Sequence, residues 1–144
     1  LMQSKLNIEI HSFSYKKGGI PKDNTENGGG FVFDCRGILN PGRIEEYKVQ
    51  TGNDIGVQEF LETKTEFPKF FNSIKSLLSI SIENYLNRGF ENLQINFGCT
   101  GGQHRSVYSA IKTAQFIREN YPDANVIIHH DEQLQLNMKS ASSN

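Results

Sequence analysis

The chain has 144 residues, of which 36% are hydrophobic and 22% charged, and its formal net charge at pH 7 is -1. The length suits one domain with a self-sufficient core, and the composition excludes a disordered, fibrous or membrane-spanning chain. The net charge gives no general attraction to nucleic acid or anionic membranes. The apolar runs are far shorter than the ~20 residues needed to cross a bilayer, and the N-terminus lacks the pattern of a secretory signal, so the sequence predicts a cytoplasmic protein without membrane contact.

The first part of the chain predicts two strands separated by a glycine-rich loop. Apolar residues alternate with polar ones between Leu6 and Phe13, which is typical of a half-buried strand. Residues 16–30 are rich in glycine, lysine and asparagine and predict a mobile loop. The run Phe31-Val32-Phe33 then predicts a parallel strand that is covered on both faces and ends at Asp34.

The middle of the chain predicts two helices. Residues 54–63 place apolar side chains on one side of a short helix. Residues 67–88 repeat apolar side chains at intervals of three and four, and Gly89 follows as the expected C-cap of a longer helix.

The last part predicts a strand at 93–97, a glycine loop, a helix at 104–121 and a strand at 126–128. Strands separated by helices predict an α/β domain with a mostly parallel sheet flanked by helices. We expect this domain to span 1–132 and residues 133–144 to form a polar, disordered tail.

The loop between the third strand and its helix, GCTGGQHRS at 98–106, predicts a site for a phosphate-like anion. A helix N-terminus presents unpaired N–H groups and the positive end of the helix dipole. Gly101 and Gly102 allow the backbone to approach a ligand closely. Arg105 offers a planar fork for two phosphate oxygens. The other candidate donors are Thr100, His104 and Ser106.

Two further features bear on the site. Asp34 and Arg36 follow a predicted parallel strand, and strand carboxyl ends share one sheet edge, so we expect both residues beside the loop. No G-x-x-x-x-G-K-[ST] occurs, which excludes P-loop ATP hydrolysis. Adjacent strand residues point to opposite faces, so the run 129–131, His-His-Asp, predicts no shared metal ion. The sequence indicates no metal and no cofactor.

The same loop leaves an enzymatic alternative open. Cys99, Gly102, Arg105 and Ser106 fit C-x-x-G-x-x-R-S, which resembles the phosphate loop of cysteine-dependent phosphatases. In that chemistry a thiolate attacks phosphorus, and Cys99 stands where the nucleophile would stand. However, Gly98 takes the place of the histidine that those phosphatases usually carry, and no general-acid aspartate can be chosen.

A closer resemblance covers about residues 8–131. The run GCTGGQHRSVY at 98–108 is similar to the C-terminal domain of the RapZ family, the bacterial RNase adapter proteins. Other family-like blocks occur in the same order: 12–16 with 19–21, 34–36 with Asn40 and Pro41, and Thr51-Gly52 with Val57 and Phe60-Leu61.

The resemblance implies a non-catalytic sensor of an amino-sugar phosphate such as glucosamine 6-phosphate. It implies a ligand site made of Cys99, Thr100, Gly101, Gly102, Gln103, His104, Arg105 and Ser106, with Lys16, Asp34, Arg36, Asn40 and Thr51. In that family the domain also contributes to RNA and protein binding and to oligomers. The family's nucleotide-binding domain is not in this sequence, so we expect a larger multidomain protein or a homo-oligomer. A neutral tail replaces the family's basic one and argues against RNA binding.

Overall fold

The computed structural model describes residues 5–133 of the chain. In chain order its elements are β1 (Asn7–Ser14), β2 (Gly30–Asp34), α1 (Ile55–Lys64), α2 (Phe67–Arg88), β3 (Asn92–Cys99), α3 (Arg105–Asn120) and β4 (Asn125–His130). Two short 3-10 turns, Pro41–Arg43 and Glu45–Tyr47, lie between β2 and α1. The expected polar tail lies outside the described residues except for Gln133.

The four strands form one parallel sheet in the order β2-β3-β1-β4. The register of β1 against β3 runs from the pair Asn7 and Asn92 to the pair Ser14 and Cys99. The carboxyl ends of these strands therefore lie level at one edge. This sheet and its helices confirm the predicted α/β fold.

One face of the sheet carries the apolar core. Ile8 and Ile10 lie level with Leu93 and Ile95 on the neighbouring strand, and all four side chains are buried. Residues from all three helices belong to the same hydrophobic cluster, and α3 contacts β1, β3 and β4. The helices therefore cover this face.

The opposite face of the sheet is mainly polar. Because strand side chains alternate, Glu9 and His11 of β1 point away from the core, level with Gln94 and Asn96 of β3. Val32 shares this face and is 46% exposed. The prediction that the run around Val32 is covered on both faces is wrong, because the helices cover only the other face of the sheet.

The helices begin and end close to the predicted positions. Residues 67–88 form α2 as predicted, and Gly89 ends it with a left-handed φ of 71°. The α3 helix begins at Arg105, one residue later than expected. None of the helices within residues 5–133 has the length and apolar character needed to cross a bilayer.

Candidate anion-binding site

The loop that follows β3 lies at the carboxyl edge of the sheet, between the ends of β1 and β2. The Ser14 hydroxyl donates to the Thr100 carbonyl at 2.6 Å, and the Cys35 N–H donates to the Gly98 carbonyl at 2.7 Å. These two bonds hold the loop to both neighbouring strand ends. The structure thus brings the segment around Asp34 beside the glycine loop, as the sequence predicts.

The two glycines of the loop have different roles. Gly102 has a φ of 68°, and a Cβ placed on it would lie 3.1 Å from the Ser14 nitrogen. A Cβ on Gly101 would meet no atom within 4 Å. Only Gly102 is therefore required by backbone conformation and by close packing.

Free backbone donors line the loop where it enters α3. Among the described residues, no protein acceptor receives a hydrogen bond from the N–H groups of residues 101–107. The first amide of this region with a partner is that of Tyr108, which donates to the His104 carbonyl at 3.0 Å. A run of unpaired N–H groups at the positive end of a helix is suited to an anion.

Arg105 serves both the fold and the candidate site. Its side chain is only 4% exposed, and Nη1 donates to the carbonyls of Arg36 at 3.1 Å and Ile38 at 2.7 Å. Its Nε is buried and has no hydrogen-bond partner within residues 5–133. One edge of the guanidinium thus secures the segment after β2, and the Nε on the other edge has no partner within residues 5–133.

Cys99 and Ser106 contact each other beneath the loop. The Cys99 Sγ lies 3.1 Å from the Ser106 Oγ, and both side chains are buried. At this distance the Cys99 thiol donates to the Ser106 hydroxyl oxygen. Burial in the core raises the pKa of the Cys35 thiol and favours its neutral form.

Two residues of the loop that the sequence predicts to bind the ligand, Gln103 and His104, instead hold the segment 47–50 of the same chain. The Gln103 side-chain amide donates to the carbonyls of Lys48 at 2.9 Å and Gln50 at 2.7 Å. The His104 Nε2 donates to the Tyr47 carbonyl at 2.8 Å. Burial lowers the pKa of His104 despite its carbonyl contacts, so the ring is neutral at pH 7 and adds no positive charge.

Asp34 and Arg36 form a half-exposed ion pair beside the loop. The Arg36 Nη2 donates to the Asp34 Oδ2 at 2.7 Å, and this contact lowers the pKa of the Asp34 carboxyl. The Arg36 guanidinium also stacks 3.9 Å from the centre of the Tyr15 ring. Sequence reasoning missed Tyr15, although its place directly after β1 could have pointed to it.

The remaining predicted ligands lie around the same loop. Lys16 is exposed and follows Tyr15 at the end of β1. The Asn40 side chain accepts from the Gly42 N–H at 2.9 Å and caps the first 3-10 turn. The Thr51 hydroxyl accepts from the Asn53 N–H at 3.1 Å. The side-chain oxygens of Asn40 and Thr51 are thus already engaged locally.

Glu132 is a buried carboxylate beside the loop that sequence reasoning also missed. It is 2% exposed, and its Oε1 accepts from the Gly18 N–H at 3.1 Å. Its Cγ would lie 2.6 Å from a Cβ on Gly102. Glu132 therefore packs against the loop and holds the turn that carries Lys16.

Comparisons with known proteins show the family to which this chain is similar. The family model described as the RapZ C-terminal domain matches residues 6–134. A nucleotide-binding protein of Endomicrobium trichonymphae is 40% identical over 113 residues, which cover 78% of this chain and 37% of that protein. A nucleotide-binding protein of Thermosipho africanus is 34% identical over 129 residues, or 90% of this chain and 43% of that protein. The chain spans about two fifths of the length of these relatives.

Proposed function

We propose that this chain, which belongs to the family of RapZ C-terminal domains, binds a phosphorylated small molecule at the loop 98–106 without converting it. The observation that carries the proposal is the run of free N–H groups at 101–107 beside the unpartnered Nε of Arg105. A phosphate placed there accepts from the backbone and pairs with the guanidinium.

An amino-sugar phosphate such as glucosamine 6-phosphate suits the groups around the loop. Arg36 and Lys16 are exposed cations that offset phosphate charge. The Asp34 carboxylate is about half exposed and accepts hydrogen bonds from sugar hydroxyls or from an ammonium group. The aromatic face of Tyr15 lies beside the same ion pair. RNA and protein partners stay secondary hypotheses, because only the family resemblance supports them.

Calorimetry with the 144-residue chain tests the proposal. We expect glucosamine 6-phosphate to bind more tightly than inorganic phosphate, and unphosphorylated glucosamine not to bind, because the backbone donors require an anion. Asp34→Asn should reduce the preference for glucosamine 6-phosphate over glucose 6-phosphate. If no sugar phosphate, phosphate or sulfate binds at millimolar concentration, the proposed function is wrong.

A cysteine-dependent phosphatase is the second candidate, and the observation that favours it is the position of Cys99 at the start of the C-x-x-G-x-x-R-S loop, with Arg105 and Ser106 at its end. Against it, the Cys99 side chain is only 2% exposed, whereas reactive cysteines are partly open to solvent. We expect the wild-type chain to release no phosphate from aryl or sugar phosphates above a protein-free control.

Cys99→Ser separates the two candidates. In a binding domain, this variant keeps its affinity for sugar phosphate, because the anion contacts the backbone and Arg105. In a phosphatase, the variant binds phosphate but loses essentially all turnover, since a serine hydroxyl is not ionised there. Hydrolysis by the wild type that Cys99→Ser abolishes would replace the binding proposal with the enzymatic one.

A further inference from the structure

A cluster of metal-ligating side chains lies on the polar face of the sheet, outside the anion-binding loop. Glu9 and His11 are two residues apart on β1, and His129 of β4 is the register partner of His11. The Glu9 Oε1 lies 3.1 Å from the His11 Nε2 and 3.2 Å from the His129 Nε2. The three ligand atoms all lie within 4.8 Å of one another.

We propose that Glu9, His11 and His129 bind a divalent transition-metal ion such as zinc. In tetrahedral zinc sites the metal–ligand distances are about 2.0–2.2 Å, which places neighbouring ligand atoms roughly 3.3–3.5 Å apart. The two contacts of Glu9 are already close to that separation. Imidazole nitrogens and a carboxylate oxygen are ligands that zinc and neighbouring first-row metals prefer.

The second nitrogen of His11 supports the same assignment. Its Nδ1 lies 3.0 Å from the Asp131 Oδ1, while its Nε2 faces Glu9. An imidazolium ring, in which both nitrogens carry a proton, donates to both carboxylates, whereas a neutral ring has one N–H. A metal ion that replaced the Nε2 proton would lie beside Glu9, and Nδ1–H would still donate to Asp131. Such carboxylate–histidine–metal arrangements orient the ring at metal sites.

The cluster borders an open space. A cavity of about 280 Å³ lies on this face, and its lining includes Glu9, His129, Gln94 and Asp23. Three protein ligands leave a fourth tetrahedral position unfilled, as in metal sites that accept water or a small ligand. The cavity provides room for such a group beside the proposed ion.

Titration with Zn²⁺ and Co²⁺ tests the proposal, with affinity measured by calorimetry and geometry by the visible absorption of bound Co²⁺. We expect one ion per chain with micromolar or tighter affinity, and we expect His129→Ala or Glu9→Gln to abolish that binding. Asp131→Asn removes the partner of the His11 ring and should weaken the affinity by about 10- to 100-fold.

His130→Ala is the matched control. His130 is next to His129 but points to the other face, where its Nδ1 lies 2.7 Å from the Ser12 Oγ. This variant should bind the metal ion like the wild type. The proposal is overturned if the wild type shows no saturable binding, if binding survives both ligand substitutions, or if His130→Ala loses it equally. Thermal unfolding of each variant shows that the chain is folded.

Discussion

Arg105→Ala is expected to lower both the stability of the domain and its affinity for phosphorylated ligands. Truncation leaves the carbonyls of Arg36 and Ile38 without the Nη1 donor. Each acceptor left unpaired costs about 1–3 kcal/mol, so the loss of a donor to both carbonyls should lower the free energy of unfolding by roughly 2–6 kcal/mol. Loss of a charged hydrogen bond to the ligand costs a further 1.5–3 kcal/mol of binding, or roughly 10- to 150-fold in affinity. Urea unfolding and calorimetry measure the two effects.

Arg36→Ala is the control that separates binding from stability. The Arg36 side chain is about half exposed and pairs with Asp34 at the surface, where ion pairs contribute at most about 1 kcal/mol. We expect this variant to unfold close to the wild-type urea midpoint and to bind sugar phosphate less tightly. An Arg105→Ala domain with wild-type stability and affinity would contradict both roles assigned to Arg105.

Gly102→Ala should have a comparably large effect on folding. A left-handed φ of 68° costs an alanine about 1–2 kcal/mol. The added Cβ would also meet the Glu132 side chain at 2.6 Å and the Ser14 nitrogen at 3.1 Å, and such overpacking costs typically 1–3 kcal/mol. We expect the free energy of unfolding to fall by about 2–5 kcal/mol from these two effects. Affinity for sugar phosphate should fall as the backbone donors shift.

Gly101→Ala is the matched control in the same loop. Its Cβ would meet nothing within 4 Å, and its φ is not positive. This variant should therefore keep the stability and ligand affinity of the wild type. If the two alanine variants were equally stable, the close packing at Gly102 would not matter for the fold.

The order and type of the elements could be predicted because each reflects a local pattern. The apolar spacing along 67–88 and the glycine after it are sufficient to define α2 and its end. The shared sheet edge that joins Asp34 to the glycine loop follows from parallel strands alone. Local patterns do not reveal that the helices all cover one face of the sheet, however, so the exposure of Val32 on the other face was not predictable.

The contents of the candidate site were only partly predictable. Residue type and spacing singled out the loop and Arg105, because helix N-termini and guanidinium groups attract anions. Arg105 binds two carbonyls through Nη1 and leaves Nε without a partner within residues 5–133. This arrangement depends on where the segment after β2 packs, which local patterns do not show. The burial of Glu132 against Gly102 likewise depends on contacts distant in sequence.

By itself the sequence determined the α/β class, the glycine loop between β3 and α3, and the family resemblance, because these depend on residues close together in the chain. Only the tertiary structure decided which side chains meet across strands. The sequence predicts that His129 and His130 share no metal ion, because adjacent residues of a strand point to opposite faces. The pairing of β1 with β4 instead places His129 beside Glu9 and His11, which lie more than a hundred positions away in the sequence.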